Sequence, residues 1–220
     1  GEMNAHPAYQ IKDSRTEVTL TLAPNESVFI VYPITENNEG KGQEAPLQRV
    51  QKSKDKPTEK SKNIAIEPEK YTVTFVADNQ TVARRKLFDW SKEEDKQIRY
   101  YSGTAIYKTT FSWKNKQQKG QEVYLHLGTV YNLATVYVNG IDCGTVWTAP
   151  YRANITAALK KGTNELKIEV TNTWANALKG ADEGKAPFEG IWTNAKYRKQ
   201  EDTLLPAGLL GPLWLEQNNK

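Results

Sequence analysis

The sequence predicts an all-β fold of short antiparallel strands, a sandwich or a barrel. Three observations carry this. Apolar residues recur with a period of two along almost the whole chain. Asn139-Gly140 lies between Val138 and Ile141, and a type I′ hairpin turn needs positive φ at both central residues, which Asn and Gly supply. No stretch keeps a helical period over the roughly 11 residues of an average helix.

The elements follow in order. Val18, Leu20 and Leu22 alternate with threonines, which predicts a strand near 17–22. A second is expected near 27–33, where Val28-Phe29-Ile30-Val31-Tyr32 is the longest apolar run. That run is far short of the roughly 20 residues of a spanning helix. Residues 35–63 hold twelve charged residues and only Ala45, Leu47 and Val50 as apolar ones, so they read as a linker or long loop. Period two then returns at Tyr71, Val73 and Phe75, at Tyr107, Thr109, Phe111 and Trp113, and at Val123, Leu125 and Leu127. It continues at Ala134, Val136 and Val138, and at Leu166, Ile168 and Val170. The hairpin at Asn139-Gly140 leads into a strand from Ile141 to Thr148. Ser91 with Glu94 reads as a capping box for a short helix ending near Gln97. Thr156 to Gly162 reads as a helical turn closed by glycine. Residues 175–205 read as loop-rich.

Composition excludes several functions. The chain has 220 residues with 30 Lys plus Arg against 26 Asp plus Glu, a net charge of +4. Acidic and basic residues are interspersed, unlike the basic stripe of a nucleic-acid binder. One cysteine and two histidines exclude a disulfide framework, a Cys-rich zinc site and a multi-histidine metal site. There is no phosphate loop and no nucleophile elbow. The opening Gly1-Glu2-Met3 lacks the order of a secretory signal, and Gly1 reads as a remnant of tag removal. No membrane insertion is expected.

Several segments together resemble a known family. They are Tyr101-Ser102-Gly103-Thr104-Ala105-Ile106-Tyr107, Leu125-His126-Leu127-Gly128-Thr129-Val130 and Ala134-Thr135-Val136-Tyr137-Val138-Asn139-Gly140. Further along come Gly144-Thr145-Val146-Trp147-Thr148-Ala149-Pro150-Tyr151, Gly162-Thr163-Asn164-Glu165-Leu166 and Val170-Thr171-Asn172-Thr173-Trp174-Ala175-Asn176. In this order and spacing they resemble the sugar-binding jelly-roll domain of the family 2 glycoside hydrolases. They are closer still to its C-terminal version in the α-L-rhamnosidase-like glycoside hydrolases (family 106). The tail Leu205 to Leu213 resembles that family's closing strand, and Asp13 to Tyr32 the end of the sandwich that precedes the jelly roll. The charged insertion at 35–63 has no counterpart.

The resemblance implies an antiparallel jelly-roll β-sandwich of galactose-binding-like type over residues 64–220. Residues 1–34 would be a short N-terminal strand pair left from a preceding sandwich. It implies an accessory domain of an enzyme acting on complex polysaccharide, in the periplasm or outside the cell. The expected partners are an oligosaccharide or polysaccharide and a catalytic domain of the same polypeptide. No cofactor is expected; a structural calcium enters by analogy alone. In such enzymes the two catalytic carboxylates come from a separate barrel of about 250 residues, so none is carried over here. Asp182, Glu183 and Glu189 read as solvated charge. Alone, the chain is expected to be inert.

The candidate sugar-contact residues follow from chemistry. A sugar offers C–H faces to aromatic rings and hydroxyl edges to polar side chains. Trp147 and Tyr151 bracket a Pro-containing loop, and Arg152 follows. Asn172 and Trp174 end a strand, and Trp192 lies in the loop-rich segment. Loops on a rigid sandwich are where binding residues concentrate. Against this, Trp147 is in phase with Ile141, Cys143 and Thr145, so for Trp147 and Trp174 a core or interface place is weighed above contact. Trp90, Trp113 and Trp214 read as packing anchors, Cys143 as a small buried hydrophobe, and His126 as a lone surface histidine. Three roles compete: a buttress for a catalytic domain, a carbohydrate-binding module, and a free-standing glycan-binding or adhesion protein.

Overall fold

Alternation in sequence becomes alternation in burial. Every second side chain is buried along Tyr71–Phe75, Gln121–His126 and Leu133–Val138. The structure is a computed structural model that describes residues 9–12, 15–18, 62–68, 70–115, 121–194 and 203–219. The chain divides into two compact units, Gly1–Thr58 and Glu59–Lys220. In the first, β1 (Tyr9–Lys12) and β2 (Arg15–Val18) form an antiparallel pair with Tyr9 opposite Val18. The strand expected near 27–33, the end of the one near 17–22, and residues 35–61 of the expected linker lie outside the described residues.

The second unit holds the remaining elements. They are β3 (Lys62–Ala65), β4 (Tyr71–Phe75), β5 (Gln80–Arg84), α1 (Lys96–Arg99), β6 (Thr104–Trp113), β7 (Gln121–His126) and β8 (Thr129–Tyr131). Then come β9 (Leu133–Val138), β10 (Ile141–Val146), β11 (Arg152–Asn154), β12 (Gly162–Thr171), α2 (Ala175–Asp182), β13 (Gly208–Gly211) and β14 (Trp214–Asn219). β3 starts two residues inside the expected linker, because its first two residues, Lys62 and Asn63, are polar and carry no apolar signal.

Six strands form one sheet in the order β10-β9-β12-β6-β4-β5, and four form a second, β11-β7-β14-β3. β13 and β8 pair as a third, two-stranded piece. Every pairing between these strands is antiparallel; an isolated bridge between Gly128 and Gly211 is parallel. The buried faces of both large sheets share one core that includes Val73, Phe75, Tyr107, Leu125, Val136 and Ile168. Each such side chain contributes about 1.5–3 kcal/mol by leaving water. The expected antiparallel β-sandwich is therefore what the chain forms. Trp90 and Trp113 are buried in it; the indole Nε1 of Trp90 donates to the Tyr107 hydroxyl at 2.7 Å.

The hairpin forms as expected, with φ of 52° at Asn139 and 82° at Gly140. Its second strand slips register between Asp142 and Thr145, a bulge at Cys143-Gly144. The closing segment splits: β13 lies within the stretch expected to be a single strand, and the strand inserted into the four-stranded sheet is β14.

The helical expectations need correction. The expected helix at 91–97 is two short pieces, a 3₁₀ turn over Trp90–Lys92 and α1, each capped by an aspartate. Asp89 and Asp95 accept from the backbone N–H groups of Ser91 and Gln97. A side-chain carboxylate two residues before the N–H it caps does this as well as a capping box. Helix α2 occupies the start of the segment expected to be loop. Its buried face is Asn176, Ala177, Lys179 and Gly180, which shows no apolar period.

Candidate functional site

Register gathers the tryptophans. Val146 lies opposite Ala134, Ala134 opposite Val170, and Leu133 opposite Thr171. The end of β10, the start of β9 and the end of β12 therefore share one end of the sandwich. Trp147 leaves β10 there and Trp174 follows β12 there. Val76 joins them, since its N–H donates to the carbonyl of Thr104 at the start of β6. Trp147 is 72% exposed, Trp174 71% and Trp192 79%, with Leu133 and Val76 also open to solvent. The core place weighed for Trp147 and Trp174 is not found within this unit. The bulge at Cys143-Gly144 resets the phase on which it rested for Trp147. Trp192 lies beyond α2, in a stretch without strand pairing.

The other candidates divide. Asn172 spends its amide on the backbone: Nδ2 donates to the carbonyl of Tyr101 at 2.8 Å and Oδ1 accepts from the N–H of Gly103 at 2.9 Å. It clamps the loop that enters β6. Tyr151 packs half-buried against the core, and its carbonyl accepts from the N–H of Leu127. Arg152 lies opposite His126 on the other sheet. Its guanidinium is 4.8 Å from the centre of the Tyr124 ring and 3.8 Å from Glu216.

That region holds what sequence reasoning missed. On the outer face of the four-stranded sheet, His126 Nε2 and a Glu216 oxygen are 2.6 Å apart, and the imidazole stacks on Trp214 at 3.5 Å between ring centres. His126 is thus no lone surface residue. Its phase was legible, opposite Leu125 and Leu127, but its partners lie about 90 residues away, and only register brings them together. Cys143, expected to be buried, sits half-exposed on edge strand β10 beside the bulge.

Burial holds the His126 imidazole below its ordinary value; Arg152 pushes the same way, against the hydrogen bond and charge of Glu216. A histidine with a lowered folded-state pKa is held neutral by the fold. Its contribution is whole above the unfolded value of about 6.5 and is lost as pH falls through the folded value. Thermal unfolding followed from neutral pH downward should show the melting temperature falling more steeply than in His126→Gln. Parallel curves would remove His126 from the acid sensitivity.

Of the acids in the segment after β12, Glu183 is held in ion pairs. Glu183 accepts from Lys179 at 2.7 Å and Lys185 at 2.9 Å. Those hydrogen bonds hold its carboxyl below the usual range, the opposite of what a general acid needs. Among the described residues no three His, Cys, Asp or Glu side chains cluster to hold a metal ion. Among the same residues no helix is long and apolar enough to cross a membrane.

Comparison with known proteins gives the family. The sequence model described as glycosyl hydrolase 2 galactose-binding domain-like matches residues 56–203. A protein of Formosa agariphila, with a provisional β-glucuronidase name, is 34% identical over 170 residues, covering 65% of this chain and 15% of that protein. The solved rhamnosidase of Novosphingobium sp. PP1Y is 35% identical, with a TM-score of 0.67 over 73% of this chain and 15% of its own. A β-D-glucuronidase of Dictyoglomus thermophilum, 19% identical, shares the fold, with a TM-score of 0.51 over 75% of this chain and 29% of its own. This chain thus spans about 15% of the first two proteins it matches. The match over most of the sandwich places it plainly: the chain belongs to the glycosyl hydrolase 2 galactose-binding domain-like family.

Proposed function

We propose that this chain is a non-catalytic domain of a longer, α-L-rhamnosidase-like glycoside hydrolase. Its tryptophan-bearing end seats against the rest of that polypeptide. The observation that carries this is the exposure of Trp147 and Trp174, each above 70%, at one end of a sandwich in which Trp90 and Trp113 are buried and Trp214 is stacked on His126. Isolated exposed apolar residues are ordinary, but large aromatic surface gathered at one end marks a place where something docks. A tryptophan buries roughly 150–250 Å² when covered, so two or three of them make a strong anchor. The 35% identity to a solved rhamnosidase supports the rhamnosidase-like reading; membership of family 106, a place C-terminal to the catalytic domain and export to the periplasm or beyond are proposed with it from the sequence resemblance alone.

The test compares this chain with the longer natural product. The 220-residue chain should leave an aryl α-L-rhamnoside untouched while the long protein cleaves it. Trp147→Ala with Trp174→Ala should lower the melting temperature of the long protein and leave that of the 220-residue chain alone. Hydrolysis by the short chain, or equal effects of the double variant on both, would overturn the reading. Exposed indoles also suit the C–H face of a sugar, which favours the second reading, a free-standing glycan-binding module. Calorimetric binding of a neutral oligosaccharide, abolished by Trp147→Ala, would establish that reading instead.

A further inference from the structure

A groove of about 1070 Å³ runs from the outer face of the six-stranded sheet at Tyr137 on β9, past β6, to the segment that carries Lys70 into β4, where Ile64, Ile66 and Leu215 at the neighbouring edge of the four-stranded sheet also line it. Its centre is one row of the sheet. Thr72 lies opposite Lys108, Lys108 opposite Lys167, and Lys167 opposite Tyr137. Two lysines thus face each other directly across neighbouring strands, a pairing that costs stability because like charges sit side by side. Lys167 is relieved: its Nζ is 2.8 Å from Glu169 and 3.6 Å from the centre of the Tyr137 ring. Lys108 is exposed and makes no carboxylate ion pair among the described residues. Lys70 stands one row away, where its carbonyl accepts from the Thr109 hydroxyl. Glu67, on the same connecting segment as Lys70, and Glu165 also line the groove, so the positive charge centres on Lys108.

A fold that keeps an unfavourable pair where a neutral residue would serve does so at functional positions. We propose that this groove binds an acidic oligosaccharide, carboxylated or sulfated. Lys108 and Lys70 take the acid group, and the threonine hydroxyls of the same strands, among them Thr72, take its hydroxyls. The row spans three strand spacings, about 14 Å, room for a short sugar chain. Charge-assisted hydrogen bonds to an acid group are the strong ones, so the lysines set affinity while the hydroxyls set fit. The groove opens toward the Asn139-Gly140 hairpin, at the end opposite Trp147 and Trp174, so it stands or falls independently of the docking proposed for them.

The test is calorimetry on the 220-residue chain at low salt with four probes: oligogalacturonate, a sulfated dextran oligosaccharide, neutral dextran oligosaccharide and a single-stranded oligonucleotide. One acidic probe should bind, the neutral one should not, and the acidic arm that binds names the acid. Lys108→Gln should weaken binding about tenfold or more, the size expected for one charged hydrogen bond. Lys70→Gln should weaken it in the same direction, and Lys161→Gln, in the exposed turn before β12, should not. The melting temperature of Lys108→Gln should not fall, because the substitution relieves the facing pair. Neutral dextran binding as tightly, no binding of either acidic probe, equal losses in Lys161→Gln, or a single-stranded oligonucleotide binding as well as the sugar would each overturn the proposal.

Discussion

Asn164→Ala is expected to cost about 3–5 kcal/mol, because each buried polar group left unpaired costs roughly 1–3 kcal/mol. Asn164 is fully buried near the start of β12. Its Oδ1 accepts from the N–H of Lys160 at 2.9 Å and from Nδ2 of Asn139 at 2.8 Å. Its own Nδ2 donates to the carbonyls of Lys160 and Gly162. Asn139 completes the network, donating to the carbonyl of Ala158 and accepting from the N–H of Glu165. Two asparagines thus tie the β9–β10 hairpin, the 156–161 turn and β12 into one corner. Alanine would leave those groups facing a hole, and a partly satisfied buried network is worse than none. Urea unfolding should show the loss as a lower midpoint with unchanged slope. A loss below about 1 kcal/mol would show that the corner holds without the network.

Gly128→Ala is expected to cost about 3 kcal/mol or more, the sum of a left-handed backbone penalty and an overpacking penalty. Gly128 has φ of 63° and links β7 to β8. A methyl group there would fall on the carbonyl carbon and oxygen of Gly211 and come within 2.7 Å of the Pro212 nitrogen. Backbone cannot swing aside as a side chain can, so β8 and β13 would have to separate. Gly190→Ala isolates the first contribution. Gly190 has φ of 76° and nothing within 4 Å of its would-be methyl, so it should lose only about 1 kcal/mol. Equal losses at the two positions in thermal or urea unfolding would rule out the close approach as the cause.

Much of the sandwich was legible because a two-faced sheet writes its burial into the sequence every second residue. β4, β6, β7, β9 and β12 show this, each with one face in the core. Legibility fails where burial is not the organising force. β10 is an edge strand whose side chains are half-exposed or exposed. Its bulge breaks the phase, and the inward reading of Trp147 went with it. Helix α2 hides because its covered face has no large apolar residue. Asn176 is buried there to hold the backbone of Leu205 through two hydrogen bonds, and Lys179 to pair with Glu183. Of the candidate contacts, residue type alone could not separate Asn172, whose amide is committed to Tyr101 and Gly103, from an amide free to meet a ligand. The pairing of His126 with Glu216 and of Lys108 with Lys167 are facts of register, which a hairpin fixes locally and a long crossover does not.

β14 comes last of the described strands yet lies inside the four-stranded sheet, between β7 and β3. On a ribosome, β7 would wait for it while the 88 residues from His126 to Trp214 are added. At 5–20 residues per second that wait is roughly 4–18 s. Until then β7 has only β11 beside it and β3 has no partner strand, so the four-stranded sheet that carries Ile64, Val123 and Leu125 is incomplete. The sandwich therefore cannot close strand by strand as it emerges. It is a fold completed only once β14 has emerged, and a nascent chain halted before Trp214 is a substrate for chaperones rather than a smaller version of the domain.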